Sequence, residues 1–168
     1  MISSADLATI EQQLGRPPRG ALGVETRCPA GHPQVIRVYP LIDGKPFPTL
    51  FWLSCPNLVA QISRLEHQNY IQKIEELIRQ DASFRERVFK NHRENIHERW
   101  AELSQADIVF IDKKGYRSQL LDYGIGGIKN WESVKCLHLH YAHHLARENA
   151  IGQWLDEHFQ IEKCKTSS

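Results

Sequence analysis

Apolar side chains at Leu7, Ile10 and Leu14 recur three and four positions apart, the spacing of one buried helix face, and Gly15 follows where such a helix would stop. Beyond G-R-P-P-R-G, the stretches Ala21 to Arg27 and Gln34 to Tyr39 are rich in strand-forming residues. The intervening C-P-A-G-H-P predicts a hairpin with a wide turn. A third strand is expected at about Thr49 to Ser54, fenced by prolines that cannot donate to a ladder. From Pro56 the apolar period lengthens to nearly four. Helices are predicted over about 56–67, 70–79 and 84–104, with Pro56 at a first helical position and Asn69/Gln72 and Ser83/Glu86 as capping pairs. In Gln105 to Gly127, D-I-V-F-I-D is compatible with a strand, and Y-R-S-Q-L-L-D-Y with a short helix before G-I-G-G. A helical pair over about 131–148 and 150–162 precedes a polar tail at 162–168. The pattern predicts an α+β class: one helix-rich domain, residues 1–168, with a small N-terminal antiparallel sheet.

Composition narrows what such a domain does. Of 168 residues, 41% are hydrophobic and 24% charged, and the formal net charge is +1. A chain this balanced has no overall field to attract nucleic acid or an anionic membrane, so dedicated nucleic-acid binding is not expected. The longest apolar runs, such as Leu50 to Leu53 and Ile108 to Ile111, are far short of the roughly 20 residues that span a bilayer. The first residues do not have the basic-then-apolar pattern of an export signal. A soluble cytoplasmic protein is therefore expected, and in that reducing compartment the four cysteines are free thiols or metal ligands rather than a disulfide framework.

The densest chemistry is in K-C-L-H-L-H-Y-A-H-H, from Lys135 to His144. If this segment is helical throughout, a turn of about 100° per residue aligns Cys136 with His140 and His143, while His138 points about 200° away from Cys136. Two further ligands are available at Cys-Pro dipeptides. Cys28 opens the turn C-P-A-G-H-P, where His32 is an additional candidate, and Cys55 precedes a helix, where unpaired N–H groups favour thiolate. Cys28, Cys55, Cys136 and His143 form a Cys3His set suited to tetrahedral Zn2+, with an iron–sulfur cluster as the second possibility. Cys164, in a charged tail, is expected to stand outside it.

An anion site is the other candidate. Arg16 and Arg19 flank a diproline, and three residues per polyproline turn place both guanidinium groups on one face. Gly126 and Gly127, in G-I-G-G, shortly precede Lys135 and the histidine-rich helix, whose N-terminal N–H groups also attract anions. His138 and Lys135 are the candidate catalytic residues beside them. No serine hydrolase elbow or H-E-x-x-H pair is present. Glu66, Glu75 and Glu76 read as solvated helix faces.

Several motifs in order, G-R-P-P-R-G, C-P-x-G-x-P, P-F-P-T-L with a following S-C-P, and V-K-C-L-H with a later A-H, resemble the bacterial family called domain of unknown function 501 over about Gly15 to Gly152. The resemblance implies relatives, and no reaction comes with it. The family's motif includes the residues matching Cys28, Cys55, Cys136, His138 and His143, while His32, His140 and His144 lie outside it. The expected function is a small metalloprotein with a Cys/His site that acts on a small phosphorylated or carboxylated substrate. The alternative is a non-catalytic module that binds a protein partner, with a structural metal or none.

Overall fold

The computed structural model describes residues 1–164; the last part of the expected polar tail, 165–168, lies outside the described residues. Helix α1 (Ser4–Leu14) is capped by the Ser3 hydroxyl, which accepts from the Asp6 N–H, and it ends at Gly15 with φ 71°. Strands β1 (Ala21–Arg27), β2 (Pro33–Val38) and β5 (Phe51–Leu53) form an antiparallel sheet in the order β1-β2-β5. A two-stranded ribbon, β3 (Leu41–Ile42) with β4 (Lys45–Pro46), bridges the gap between β2 and β5. The remaining elements are α2 (Pro56–His67), α3 (Tyr70–Gln80), α4 (Ala82–Ala101), α5 (Gln105–Lys114), α6 (Arg117–Leu121), a 3-10 turn (Ile125–Gly127), α7 (Leu137–Ala146) and α8 (Ala150–His158). Helix-rich α+β architecture with a small N-terminal sheet is what the periodicity predicts.

The period of two in the central strand explains why the sheet is covered on both faces. Val35 joins Phe51 and Leu53 in the large core formed with α2, α3, α4, α7 and α8. Ile36 and Val38 point the other way, onto Ile10 of α1 and alongside Trp52. A third cluster, Leu103, Ile111 and Leu120, seats α5 and α6. Among the described residues no helix is long and apolar enough to cross a membrane.

Several boundaries depart from the sequence expectation. D-I-V-F-I-D is part of helix α5 because local capping outweighs its β propensity: Ser104 accepts from the Asp107 N–H, and Gly115 closes the helix with φ 75°. Helix α4 starts under Asp81, which accepts from the Phe84 N–H, rather than under Ser83. Asn69 adopts the left-handed conformation, φ 66°, without capping through its side chain. The predicted helix over 131–148 begins only at Leu137. Upstream, the Val134 N–H is taken by the Glu75 carboxylate at 2.9 Å and the Glu132 N–H by the Asn130 side chain at 3.1 Å, so this backbone is satisfied without a helical ladder. Helix α8 ends at His158, not at 162, and an extended strap then runs back along α2. Asn57 and Gln61 donate to the Glu162 carbonyl at 2.9 and 2.8 Å, and the Glu162 N–H returns to Gln61 at 2.8 Å.

Candidate functional site

A groove of about 650 Å³ opens where the end of α1, β5, α2 and the start of α7 meet. Arg16, Trp52, Ser63, Lys135, Cys136 and His138 are among the residues lining it. The turn at Gly15 carries Arg16 across the indole of Trp52, 4.8 Å from the ring centroid, so the guanidinium is held over an aromatic face. Four predicted residues, Arg16, Lys135, Cys136 and His138, thus lie at one site.

Arg19 lies elsewhere, a correction to the paired clamp. The Arg19 N–H bonds back to the Pro17 carbonyl at 3.0 Å and Gly20 follows with φ 75°, so the chain turns tightly instead of continuing as a polyproline helix. Arg19 pairs with the exposed Asp43. Gly126 and Gly127 are also not an open anion nest. Both have positive φ, and a Cβ on Gly126 would lie 2.7 Å from Leu139 Cδ1, while one on Gly127 would lie 2.8 Å from the Pro48 ring. The lack of a side chain lets the loop press against α7 at Gly126 and against Pro48 at Gly127, and Gly126 supports the stem of Lys135 from behind.

The chemistry of the groove centres on His138. Its Nδ1 is 2.5 Å from Glu66 Oε1, and its Nε2 is 3.0 Å from Ser63 Oγ and 3.3 Å from the Val59 carbonyl. Ser63 and Glu66 are three residues apart on α2 and so share a face. Glu66 is therefore not the solvated residue its helix suggests: its side chain is only 20% exposed and His138's 25%. Glu75 is likewise engaged, through Val134. The sequence signal available for this trio was the S-x-x-E spacing of Ser63 and Glu66, which lacks meaning until α7 is laid across it.

The four predicted metal ligands fall in three places. Cys28 Sγ is 3.9 Å from His32 Nδ1. Cys55 is the N-cap of α2 as expected, with Pro56 next, but its side chain accepts no helix N–H; it lies 3.4 Å from Cys164 Sγ instead. Cys164 is thus no bystander, because the strap carries it to α2. Cys55 and Cys28 both adjoin it and, with burial as the larger cause, push its thiol up to about 11. Cys136 is in the groove. It is an extended N-cap, φ −161° and ψ 156°, so the wheel that aligned it with His143 does not apply at that position. Burial raises its thiol, against the lowering effect of the Leu139 and His138 N–H groups. Among the described residues, no three His, Cys, Asp or Glu side chains are already placed around one metal ion.

His143 belongs to a buried polar cluster. The Gly152 N–H fixes Asn149 Oδ1 at 2.9 Å, which turns the Asn149 amide toward His140 Nδ1 at 3.2 Å and His143 Nδ1 at 3.1 Å. Both rings must then accept at Nδ1. His92 Nδ1 accepts from the Ile125 N–H at 2.9 Å, and its ring stacks on Trp131. Burial, with neighbouring positive groups, lowers His92 and His143 to about 4 and holds His140 well below the usual range.

A model of the family described as "Protein of unknown function (DUF501)" matches residues 24–157. Neither a curated protein nor a solved structure matches the chain.

Proposed function

We propose, for a chain that belongs to the DUF501 family, that the groove binds a small organic anion and that His138 catalyses hydrolysis of an ester-type bond in it. The observation that carries this reading is the array Glu66–His138–Ser63 opening onto a groove flanked by Arg16 and Lys135. Glu66 holds the Nδ1–H and favours the tautomer whose Nε2 accepts the Ser63 proton. The Ser63 oxygen then attacks the substrate carbon. His138 passes the proton to the leaving group, and water, deprotonated by the same nitrogen, releases the acid and restores Ser63. Arg16 and Lys135 offer charge to a carboxylate or phosphate, and Trp52 and Leu139 offer apolar cover. Four free thiols suit a reducing cytoplasmic setting.

The Val59 carbonyl, 3.3 Å from Nε2 and one helical turn before Ser63, favours a second reading. There the trio only ties α7 to α2 and the groove binds without turnover. A fluorophosphonate reagent separates the two, because it esterifies only an activated serine. The expected result is an adduct on Ser63, found by peptide mass spectrometry, that slows by at least about 100-fold in His138→Gln with the circular dichroism unchanged. No adduct on Ser63 in folded protein would leave the binding reading.

A further inference from the structure

We propose that Cys28, His32, Cys55 and Cys164 form a zinc site at the corner where the β1–β2 turn, the start of α2 and the C-terminal strap meet. Two pairs are already in contact: Cys28 Sγ with His32 Nδ1 at 3.9 Å, and Cys55 Sγ with Cys164 Sγ at 3.4 Å. Around a tetrahedral zinc with Zn–S near 2.3 Å and Zn–N near 2.0 Å, ligand atoms lie roughly 3.5–3.8 Å apart, so both spacings are close to those of bound ligands. The pairs are also neighbours. His32, Cys55 and Cys164 line one cavity of about 430 Å³, and Cys28 adjoins Cys164.

The backbone at each pair suits the purpose. In the turn, Cys28 N–H bonds the His32 carbonyl at 2.9 Å and Gly31 N–H the Cys28 carbonyl at 2.8 Å, with Gly31 at φ 86°. That closes a C-x-x-x-H loop with both side chains on one side. Cys55 is the N-cap of a twelve-residue helix, and its side chain makes no bond to the helix N–H groups. Cys164 is brought over it by the Asn57 and Gln61 bonds to Glu162. No such position holds a carboxylate that would suit a harder cation, and three thiolates with one imidazole select zinc among divalent metals by softness and geometry. On binding, each thiol releases its proton to solvent as its sulfur takes a place on the metal, and the water ligands of aqueous zinc leave. Binding requires the two pairs to close on one point, His32 by rotating its ring and Cys164 by moving with the strap.

The test uses the full chain purified under reducing conditions. Elemental mass spectrometry is expected to find one zinc per chain, and Co2+ substitution is expected to give the visible bands of a tetrahedral thiolate site. A chelator should expose three further thiols to alkylation, at Cys28, Cys55 and Cys164, located by peptide mapping. Cys164→Ser, at the end of the strap where the fold depends on it least, should weaken zinc binding by more than about tenfold. Reduced, folded protein that neither carries nor takes up zinc would overturn the proposal. So would zinc whose removal exposes Cys136 in place of Cys164, sulfide-to-iron absorption, or an isolated Cys55–Cys164 disulfide that forms equally with zinc present.

Discussion

Acidification should destabilise this protein from about pH 6.5 downward, above the range in which its carboxylates titrate, because three histidines are held neutral in the core. His92 and His143 are 0% and 1% exposed, and each already uses Nδ1 as an acceptor, from Ile125 and Asn149 respectively. A proton arriving at Nδ1 must break that bond and place a charge near Arg99 or Arg147. The folded state therefore binds fewer protons than the unfolded state between pH 4 and 6.5, and stability rises with pH across that window and is lost as pH falls. A displacement from 6.5 to about 4 corresponds to about 3 kcal/mol per histidine once both states are protonated, and to about 2 kcal/mol each at pH 5. For the pair that is about 4 kcal/mol, against the roughly 5–15 kcal/mol that holds a domain of ordinary stability. His140 adds in the same direction. The lowered carboxylates, Asp6 and Asp112, start below 3.8 and do not contribute here. Urea unfolding followed by circular dichroism at pH 7.5, 6 and 5 measures the effect directly, and His143→Gln should lessen the slope by that one histidine's share, about 2 kcal/mol less loss at pH 5. Equal stability at pH 7.5 and 5 would show that these rings are not held neutral by the fold.

Other substitutions probe how the parts are joined. Arg99 is 0% exposed and donates to the carbonyls of Pro48, Leu120, Tyr123 and Gly124, with burial lowering it to about 10; Arg99→Ala should cost more than about 3 kcal/mol in urea unfolding, because several acceptors lose their donor at once. Gly126→Ala should lower stability by about 1–3 kcal/mol in thermal melts, since its φ of 76° and the 2.7 Å approach to Leu139 both oppose a side chain. Trp52→Ala should weaken binding of small carboxylates or phosphate in the groove, read by calorimetry, because Arg16 loses the ring at 4.8 Å that holds it.

Helix and strand identities came through in the sequence wherever one residue type decides them locally. Gly15 and Pro56 mark a helix end and a helix start where the structure has them. Local caps at Ser104 and Asp81 move two boundaries, and the larger differences lie where a partner distant in the chain decides. The start of α7 depends on Glu75 taking the Val134 N–H, which residues 131–136 by themselves do not reveal. That single displacement removed Cys136 from the face of His143. Lys135, His138 and Arg16 do share a site, but the trio at its centre needed Ser63 and Glu66, two ordinary helix residues 75 and 72 positions from His138. The charged surroundings of Cys164 in the sequence suggest a bystander, while its position depends on Asn57 and Gln61, 105 and 101 residues from Glu162.

The 109-residue separation of Cys55 and Cys164 also sets a clock. At the roughly 5–20 residues per second of synthesis, the strap leaves the ribosome about 5–20 seconds after the start of α2, and later still after the hairpin turn. During that interval the nascent chain has Cys28 and Cys55 uncovered, open to any soft metal or electrophile in the cell. Only a segment made later can close over them.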